Sequence, residues 1–380
     1  MPNIYFDNNS TTCVAPEVLH AILPYFCENY GNPSSLHRMG LEAERALKEA
    51  RRTLANILRA KEYEIVFTSG GSESVNLALT GVARTLKQEN RHFIASAVEH
   101  DAVLSTLKRL QSEGFDIDFV PTDQYGCVSK EKVCALIKPT TALVTMMHVN
   151  NELGTINEIA EIARAVKKQN KNILFFSDGA QAFAKMDINL EHIDLYSISG
   201  HKFHAPKGVG ALFVRAKKIL SPLILGGGQE SNLRSGTENV PGIVGLGIAA
   251  KLAYANLQNN HNHLRELKTA FLQGLQSLPN IKLNSPTDAL ENTLNISFES
   301  IPSEVMMHAL EEKNIYVSAG SACKGAKGKE SSVLQAIGLP VKYARSAIRF
   351  SFSRYNTMEE IHYAVDAIQN IVFNLRSLIK

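Results

Sequence analysis

The chain has 380 residues, of which 44% are hydrophobic and 20% are charged, and its formal net charge is +3. This length exceeds what a single hydrophobic core usually serves, so we expect two domains in an ordinary globular protein. The small net charge and the lack of a long basic run argue against nucleic acid as a direct partner. No apolar run reaches the roughly 18 residues of a membrane span and no secretory signal is visible, which predicts a cytoplasmic protein without membrane contact.

Short apolar segments alternate with helical patterns through the first part of the chain. The predicted strands are 64–69, 93–98, 117–122, 142–149, 173–177, 195–199 and 209–214. The predicted helices between the earlier strands are 72–88, 101–113 and 156–170. Several strands are apolar throughout, which is expected when both faces of a sheet are covered. The alternation predicts an α/β domain with a mainly parallel sheet, and such sheets bind ligands beyond the carboxyl ends of their strands.

The pattern changes after a long helical stretch at about 240–277. Short strands are predicted within 282–286, 293–298, 315–319 and 346–352, and the last predicted helix is 357–379. We therefore expect a large domain at 15–257 and a smaller α+β domain at 258–380, with residues 1–14 packing nearby.

The five cysteines form no CxxC pair, which indicates reduced thiols rather than a disulfide framework. We expect four of them to be buried and slow to react because they lie in or beside apolar segments, namely Cys13, Cys27, Cys127 and Cys134. Cys323 differs, since it lies in SAGSACKGAKGKESS (318–332), a glycine-rich, polar and cationic stretch that can hardly pack.

Lys202 is the first candidate for chemistry. It lies in SGHKFHAPKGVGALFVR (199–215), directly after a predicted strand and before a Pro/Gly turn. A lysine at a strand end in partly apolar surroundings can lose its proton and form a Schiff base. A solvated loop lysine is the alternative that these residues leave open. Lys207, within the turn, is expected to be solvated.

Other strands also end in polar residues. In TSGGSES (68–74) the glycines allow close approach of an anion and Ser72 is expected to cap the following helix, although a plain capping turn explains this segment equally well. His100, Asn151 and Asp178 follow three further strands. Because the carboxyl ends of parallel strands meet at one edge, we expect these residues to gather with Lys202 around a ligand.

A metal site is not expected. His201 and His204 share a segment but bring no acidic or thiolate partner, and His261 and His263 lie in a polar helical stretch where they should be solvated.

Eleven motifs occur in one order from residue 7 to about residue 357: DNNSTT, YGNPSSLH, TSGGSES, EHDAV, HVNNELG, DGAQ, SGHKFHAPKG, GGGQE, RSGTENV, SAGSAC and SAIRFSFSRYNT. This set resembles the cysteine desulfurases of the NifS/IscS type, which are class V, fold-type I pyridoxal-phosphate enzymes. The resemblance implies a fold-type I α/β transferase that binds pyridoxal 5′-phosphate, acts on L-cysteine and forms a homodimer with shared sites. It also implies a sulfur acceptor or an iron–sulfur scaffold protein as partner.

The resemblance implies roles around the cofactor ring. Lys202 would form the Schiff base and move protons, and Asp178 would keep the pyridine nitrogen protonated. His100 would stack on the ring face and take part in catalysis, while Gln181 would bond the phenolic oxygen. Asn151 would contact both cofactor and substrate.

A second group of residues is implied to bind the cofactor phosphate. Gly71 and Ser72 would do so at the helix start, together with Ser199 and His201. Thr237, in RSGT, would reach the phosphate of the neighbouring subunit.

The remaining roles concern the substrate. Arg349, with Asn151, would hold the amino-acid carboxylate through a bidentate contact, whereas the residues alone allow a strand arginine that pairs with a nearby acid. Cys323 would accept the sulfur as a persulfide and could transiently bind a nascent iron–sulfur cluster with a scaffold protein. Two alternatives are a selenocysteine lyase or other class V enzyme such as an aminotransferase, and a non-catalytic sulfur-carrier or scaffold-binding module.

Overall fold

The computed structural model describes residues 3–320 and 331–378. The strands are β1 (Ile4–Tyr5), β2 (Ile65–Thr68), β3 (His92–Ser96), β4 (Asp116–Val120), β5 (Thr141–Thr145), β6 (Leu174–Asp178), β7 (Leu195–Ser199), β8 (Gly210–Val214), β9 (Ile281–Leu283), β10 (Thr293–Phe298), β11 (Ile315–Tyr316) and β12 (Ala347–Ser351).

The helices lie between these strands and at the carboxyl terminus. They are α1 (Pro16–Ile22), α2 (Pro24–Cys27), α3 (Arg38–Ile57), α4 (Gly71–Ala83), α5 (Asp101–Ser112), α6 (Lys130–Ala135), α7 (Ile159–Gln169), α8 (Val240–Ala255), α9 (Leu257–Leu275), α10 (Ser303–Glu311), α11 (Ser332–Ala336), α12 (Val341–Ala344) and α13 (Met358–Leu378).

Within the described residues, the main sheet has seven strands in the order β2-β8-β7-β6-β5-β3-β4. The pairs from β4 to β7 are parallel, and β8 is antiparallel to both β2 and β7. The predicted α/β fold with a mainly parallel sheet is therefore confirmed. The amphipathic helix α3 was not predicted, because it precedes the first strand of this sheet and lies outside the strand–helix alternation.

Both faces of the main sheet are covered, which explains its apolar strands. Successive residues of β6 point to opposite faces, so that Phe175 joins the hydrophobic cluster formed with α3, α7 and α8. Phe176 joins the cluster on the other face, formed with α4 and α5. A strand buried on both sides needs apolar residues pointing to each face, as Phe175 and Phe176 do here.

The predicted long helix at 240–277 is two helices. α8 and α9 are separated at Asn256 and bent by 72° relative to each other. The predicted domain boundary, between 257 and 258, lies one residue inside α9, which begins at Leu257, and stays a prediction. No single described helix is long and apolar enough to cross a membrane; only the bent α8–α9 pair, taken together, has the necessary length and composition.

A second hydrophobic core follows the break. The antiparallel sheet β12-β10-β9 packs with α9, α10 and α13 around Phe271 and Phe350, whose ring centroids are 4.9 Å apart. The amino-terminal segment contributes Ile4 and Phe6 to this core, and β1 pairs with β11. The chain then continues from Phe6 toward the carboxyl ends of the main-sheet strands.

Candidate functional site

A cavity of about 450 Å³ lies at the carboxyl ends of the main-sheet strands. The predicted site residues that line it are Gly71, Ser72, His100, Asn151, Asp178, Gln181, Ser199, His201, Lys202 and Arg349. Parallel strands of one sheet end at the same edge, which brings together residues that are far apart in the sequence.

Lys202 is held at the cavity by backbone carbonyls. It ends a single 3₁₀ turn, Gly200–Lys202, that follows β7 directly. Its Nζ donates to the carbonyl oxygens of Asn9 and Ser10, at 2.7 Å and 2.8 Å. Both contacts are hydrogen bonds to backbone oxygens, and they hold the amine at the edge of the cavity. Lys207 also lines the cavity but is exposed, as expected for a solvated lysine.

Asp178 ends β6 and is 6% exposed. Its Oδ1 accepts hydrogen bonds from Ser197 Oγ at 2.6 Å and from the backbone N–H of Ala180 at 3.0 Å. No lysine or arginine of the described residues forms an ion pair with this carboxylate. A buried carboxylate that lacks a cation is suited to pair with a cationic group of a ligand.

His100 is fixed by its role as the amino-terminal cap of α5. Its Nδ1 accepts a hydrogen bond from the backbone N–H of Ala102 at 3.1 Å. Because Nδ1 is an acceptor, the neutral ring carries its proton on Nε2. The cap therefore fixes both the position and the tautomer of a ring that lines the cavity.

The start of α4 forms an open turn at the cavity. Gly70 is the residue before the helix, with φ of 147°, and a Cβ added there would have no atom within 4 Å. At Gly71 an added Cβ would lie 3.3 Å from the Ser199 side chain and would narrow the turn. The first N–H groups of α4 and its dipole face this space.

One prediction at this turn is wrong. Ser72 does not cap α4, because the helix already begins at Gly71 and Ser72 is its second residue. Gly70 occupies the N-cap position and no side chain caps the helix, so the Ser72 hydroxyl is available to a ligand.

His201 lies beside the same turn, with its Nδ1 at 3.1 Å from Thr11 Oγ1. Burial, together with the charges of Lys202, Lys207 and Lys185, lowers the pKa of His201 to about 4. The ring is therefore neutral near neutral pH and can interact with a ligand through one N–H only.

Asn9 is a site residue that sequence reasoning missed, although it lies in the motif DNNSTT. It is 2% exposed, and its carbonyl accepts hydrogen bonds from both Lys202 Nζ and Gln181 Nε2. Its Nδ2 donates to the carbonyl of Asn151 and to Thr293 Oγ1. Asn9 therefore connects the main-sheet edge to β10 of the second core.

Arg349 lines the cavity but is already engaged. Its Nη2 donates to Asp7 Oδ1 and Ser10 Oγ, both at 2.7 Å, and its Nη1 donates to the carbonyl of Asn151 at 3.0 Å. Arg349 Nε is buried and has no hydrogen-bond partner among the described residues. The sequence alternative of a strand arginine paired with a nearby acid describes these contacts, and the binding of a substrate carboxylate stays a prediction.

Thr237 is exposed and does not line the cavity of its own chain. Its loop is attached by two ion pairs: Arg51 with the buried Glu230, at 2.6 Å, and Arg234 with Glu73 of α4, at 3.0 Å. The loop is thus fixed next to the helix whose start lines the cavity, and the contact of Thr237 with a second subunit stays a prediction.

Cys323 lies outside the described residues. Its segment is flanked by Gly320 and Ser331, and a Cβ added at Gly320 would lie 3.5 Å from Ser331 Cβ and 3.6 Å from Glu152 Oε2. Ser331 Oγ donates to Glu152 Oε2 at 2.5 Å. Gly320 and Ser331 therefore both lie beside Glu152, the residue that follows the cavity residue Asn151.

The expected burial of the other cysteines is wrong. Cys13 and Cys27 are exposed, and Cys127 and Cys134 are partly exposed. Cys27 ends the short helix α2, none of whose residues is buried, so apolar neighbours in the sequence did not produce burial. Burial nevertheless raises the pKa of the Cys127 and Cys134 thiols, which makes these two less reactive.

In the part of the chain that the structure describes, no group of three or more His, Cys, Asp and Glu side chains is arranged to hold a metal ion. His261 and His263 are not simply solvated. His261 Nδ1 lies 2.9 Å from Glu291 Oε2, and His263 Nε2 donates to the carbonyl of Asn356.

Comparison with known proteins places the chain among enzymes of one family. The aminotransferase class-V family model matches residues 4–363. The cysteine desulfurase IscS of Methanosarcina thermophila is 42% identical over 99% of this chain and 93% of its own length. A solved structure titled NifS-like protein is 40% identical with a TM-score of 0.93, covering 98% of this chain and 100% of that chain. Another, titled SspA in complex with cysteine, is 38% identical with a TM-score of 0.83, covering 93% of this chain and 100% of that chain.

These matches extend over nearly the full length of both chains and include the motifs that line the cavity. The resemblance seen in the sequence is confirmed. The chain belongs to the aminotransferase class-V family and, within it, to the cysteine desulfurases of the NifS/IscS type.

Proposed function

We propose that this chain removes the sulfur atom of L-cysteine, releases alanine and keeps the sulfur on Cys323 as a persulfide, with pyridoxal 5′-phosphate as its cofactor. The observation that carries the proposal is the single cavity that combines the Lys202 amine, the Asp178 carboxylate and the start of α4. The full-length similarity to cysteine desulfurases supports the choice of reaction.

Pyridoxal phosphate fits this cavity by the chemistry of its donor set. An aldehyde requires an amine, which Lys202 would supply, and a pyridine nitrogen requires a carboxylate, which Asp178 would supply. A phosphate requires N–H donors and room for close approach, which Gly71, Ser72, Ser199 and His201 would supply at the start of α4. When bound, the cofactor draws electrons from the α-carbon of an attached amino acid.

Lys202 and the groups around it perform the proton transfers of this proposal. Lys202 would hold the cofactor, and its amine would move protons at the substrate α-carbon. The Asn9 and Ser10 carbonyls accept from that amine when it is free. His100 would stack on the ring face, and its tautomer is fixed by the N–H of Ala102.

The substrate is oriented by its carboxylate, which would contact Arg349 and Asn151. Arg349 is rigid before any substrate binds, since Asp7, Ser10 and the Asn151 carbonyl already hold its guanidinium. A fixed guanidinium loses little freedom on binding a carboxylate, which makes the contact specific.

Cys323 carries out the sulfur transfer. Its thiolate bonds to the substrate sulfur while the bond between that sulfur and the substrate β-carbon breaks, and the electron pair stays with the carbon skeleton. The β-carbon then takes up a proton and the product leaves as alanine. The sulfur stays on Cys323, and no external oxidant or reductant is consumed.

We also propose a cytoplasmic homodimer in which Thr237 of each subunit contacts the cofactor phosphate of its partner. The exposed position of Thr237 beside α4 supports this assignment. The persulfide would pass to a sulfur-acceptor protein or to a scaffold protein for iron–sulfur clusters, where Cys323 could transiently bind the nascent cluster.

The proposed function is tested by reconstitution. Purified protein is titrated with pyridoxal phosphate, dialysed and incubated with L-cysteine and a thiol reductant, and alanine is quantified. We expect stable visible absorbance and repeated turnover, and Asp178→Ala should lose most of the turnover. Stable cofactor binding without alanine release would contradict the proposed reaction, and alanine release only from L-selenocysteine would favour a selenocysteine lyase.

A further inference from the structure

Lys185 contacts two residues that line the cavity, and neither the motifs nor the proposed reaction gives it a role. It lies four residues after Gln181, in the turn that follows β6. Its Nζ donates to Gln181 Oε1 at 2.8 Å and to Asn9 Oδ1 at 3.4 Å. Both acceptors are uncharged amides.

The position is an unfavourable one for a lysine. No carboxylate among the described residues forms an ion pair with Lys185. Burial, and then the charges of Lys202 and Arg349, lower the pKa of Lys185 to about 7. A lysine in such surroundings costs stability, which a methionine of similar length would avoid, so its amine is expected to serve a purpose.

The contacts of Gln181 assign the orientation of its carboxamide. The Lys185 amine donates to Oε1, and the Asn9 carbonyl can only accept, so Nε2 must face Asn9, at 2.9 Å. An amide nitrogen has two hydrogens. One is used by Asn9, and the other is available to an acceptor in the cavity that Gln181 lines.

Lys185 itself does not line the main cavity. With Lys202 it lines a separate small cavity of about 50 Å³, next to Leu290 and Asn292. Among the described residues, Gln181 and Asn9 connect the Lys185 amine by hydrogen bonds to the main cavity. Lys185 is therefore not one of the residues that would touch substrate or cofactor.

We propose that Lys185 is a positioning residue that fixes the Gln181 carboxamide with an N–H directed at a ring oxygen of the bound cofactor. The inference rests on the proposed function, because it takes pyridoxal phosphate as the ligand. Without the Lys185 amine, Oε1 loses its donor and the carboxamide can rotate, so the N–H is presented for only part of the time.

The binding test uses apoprotein and 4-deoxypyridoxine 5′-phosphate, which keeps the ring oxygen and the phosphate but has no aldehyde to react with Lys202. Calorimetry compares wild type with Lys185→Met, Gln181→Leu and the double variant. We expect each single variant to bind about fivefold more weakly, the scale of one hydrogen bond. If Lys185 acts through Gln181, the double variant binds no more weakly than Gln181→Leu alone.

Lys185→Arg is the matched control, because it keeps a donor next to a small cavity that can accept the larger head group. It should bind the analogue within about twofold of wild type, a difference smaller than that of one hydrogen bond. A second measurement is the pH titration of visible absorbance in the loaded protein. Losing a donor to the ring oxygen disfavours its ionised form, so Lys185→Met should move the midpoint to higher pH and Lys185→Arg should not.

The outcomes separate this inference from the proposed function. If wild-type apoprotein binds the analogue and Lys185→Met binds it equally well, or if the two single effects add in the double variant, the role of Lys185 is overturned while the cofactor site stands. If wild-type apoprotein does not bind the analogue, both the cofactor assignment and the role of Lys185 are wrong.

Discussion

Arg349 Nη2 and Asp7 Oδ1 lie 2.7 Å apart, although the two residues are separated by 342 positions in the chain. Arg349 is 2% exposed, and its partner acid arrives on the amino-terminal segment just after β1. The pair fixes the only strand arginine that lines the main cavity within the described residues. Asp7 partly neutralises the charge of the Arg349 guanidinium. Ser10 and the Asn151 carbonyl also bind this group, so its remaining N–H groups are held in a fixed orientation.

Replacing this arginine tests the recognition of the substrate carboxylate. Arg349→Ala should weaken the apparent affinity for L-cysteine about tenfold or more, because a charge-assisted pair contributes about 1.5–3 kcal/mol. Cysteamine, which has no carboxylate, should bind wild type and variant alike. The double variant Asp7→Asn/Arg349→Ala controls for the acid left without its cation. Equal losses for both ligands would show that Arg349 supports the fold rather than the substrate.

Lys202 is tested by comparison with its neighbour Lys207, which also lines the cavity. Lys202→Ala should abolish turnover and the visible absorbance of the covalently held cofactor, since the amine held at the Asn9 and Ser10 carbonyls is removed. Lys207→Ala should retain both properties. Loss of the absorbance in Lys207→Ala, with retention in Lys202→Ala, would reverse the assignment.

Thr237 is tested by complementation between two inactive or impaired subunits. A mixed dimer of Lys202→Ala and Thr237→Val chains contains one site with Lys202 from one subunit and Thr237 from the other. If the sites are shared, remixing the two variants should raise cofactor-dependent activity well above that of either variant alone. Activity of the mixture equal to the average of the two would place Thr237 at its own chain's site.

Buried histidines predict that the protein is destabilised by acid. Burial lowers the pKa of His148 to about 4, and its Nδ1 lies at hydrogen-bond distance, 2.9 Å, from Tyr196 OH. As pH falls from 6.5 toward 4, the unfolded state binds a proton that the folded state does not, so stability is lost in this window. The loss from His148 alone is about 3 kcal/mol at most.

Urea unfolding at about pH 7 and about pH 4.5 measures this loss. His148→Asn can still form a hydrogen bond with Tyr196 but does not titrate, so its free energy of unfolding should change less between the two pH values than that of wild type. His20→Asn, at an exposed position, is the control and should follow wild type. If the free energy of unfolding of His148→Asn depends on pH as strongly as that of wild type, this histidine is not the source of the acid destabilisation.

The sequence was sufficient to predict the strand ends that carry the site. Asp178 ends β6, and Lys202 follows β7 after one 3₁₀ turn. Both are strands of one sheet that is covered on both faces, so the meeting of these residues at one edge followed from the fold class. The partners of Arg349 and Gln181 were not predictable in this way. Asp7, Asn9 and Lys185 act through tertiary contacts that leave no local periodicity in the sequence.

The exposure of individual cysteines could not be predicted from the sequence either. Cys13 and Cys27 have apolar neighbours in the sequence, yet both are exposed: Cys13 lies in the segment before α1, and Cys27 ends α2. Local hydrophobicity predicts that a segment packs, but which of its side chains is covered depends on the orientation of a short helix.

The central claim is that Cys323 alone carries the transferred sulfur, and alanine release by Cys323→Ser tests it most directly. The variant keeps Lys202, so it should bind pyridoxal phosphate and change its absorbance on addition of L-cysteine. It should form no protein persulfide and accumulate no alanine, because a hydroxyl stays protonated and cannot take up the sulfur. Cys13→Ser and Cys27→Ser, at the exposed thiols, should release alanine as wild type does. Alanine release from L-cysteine by Cys323→Ser at the wild-type rate would contradict the account.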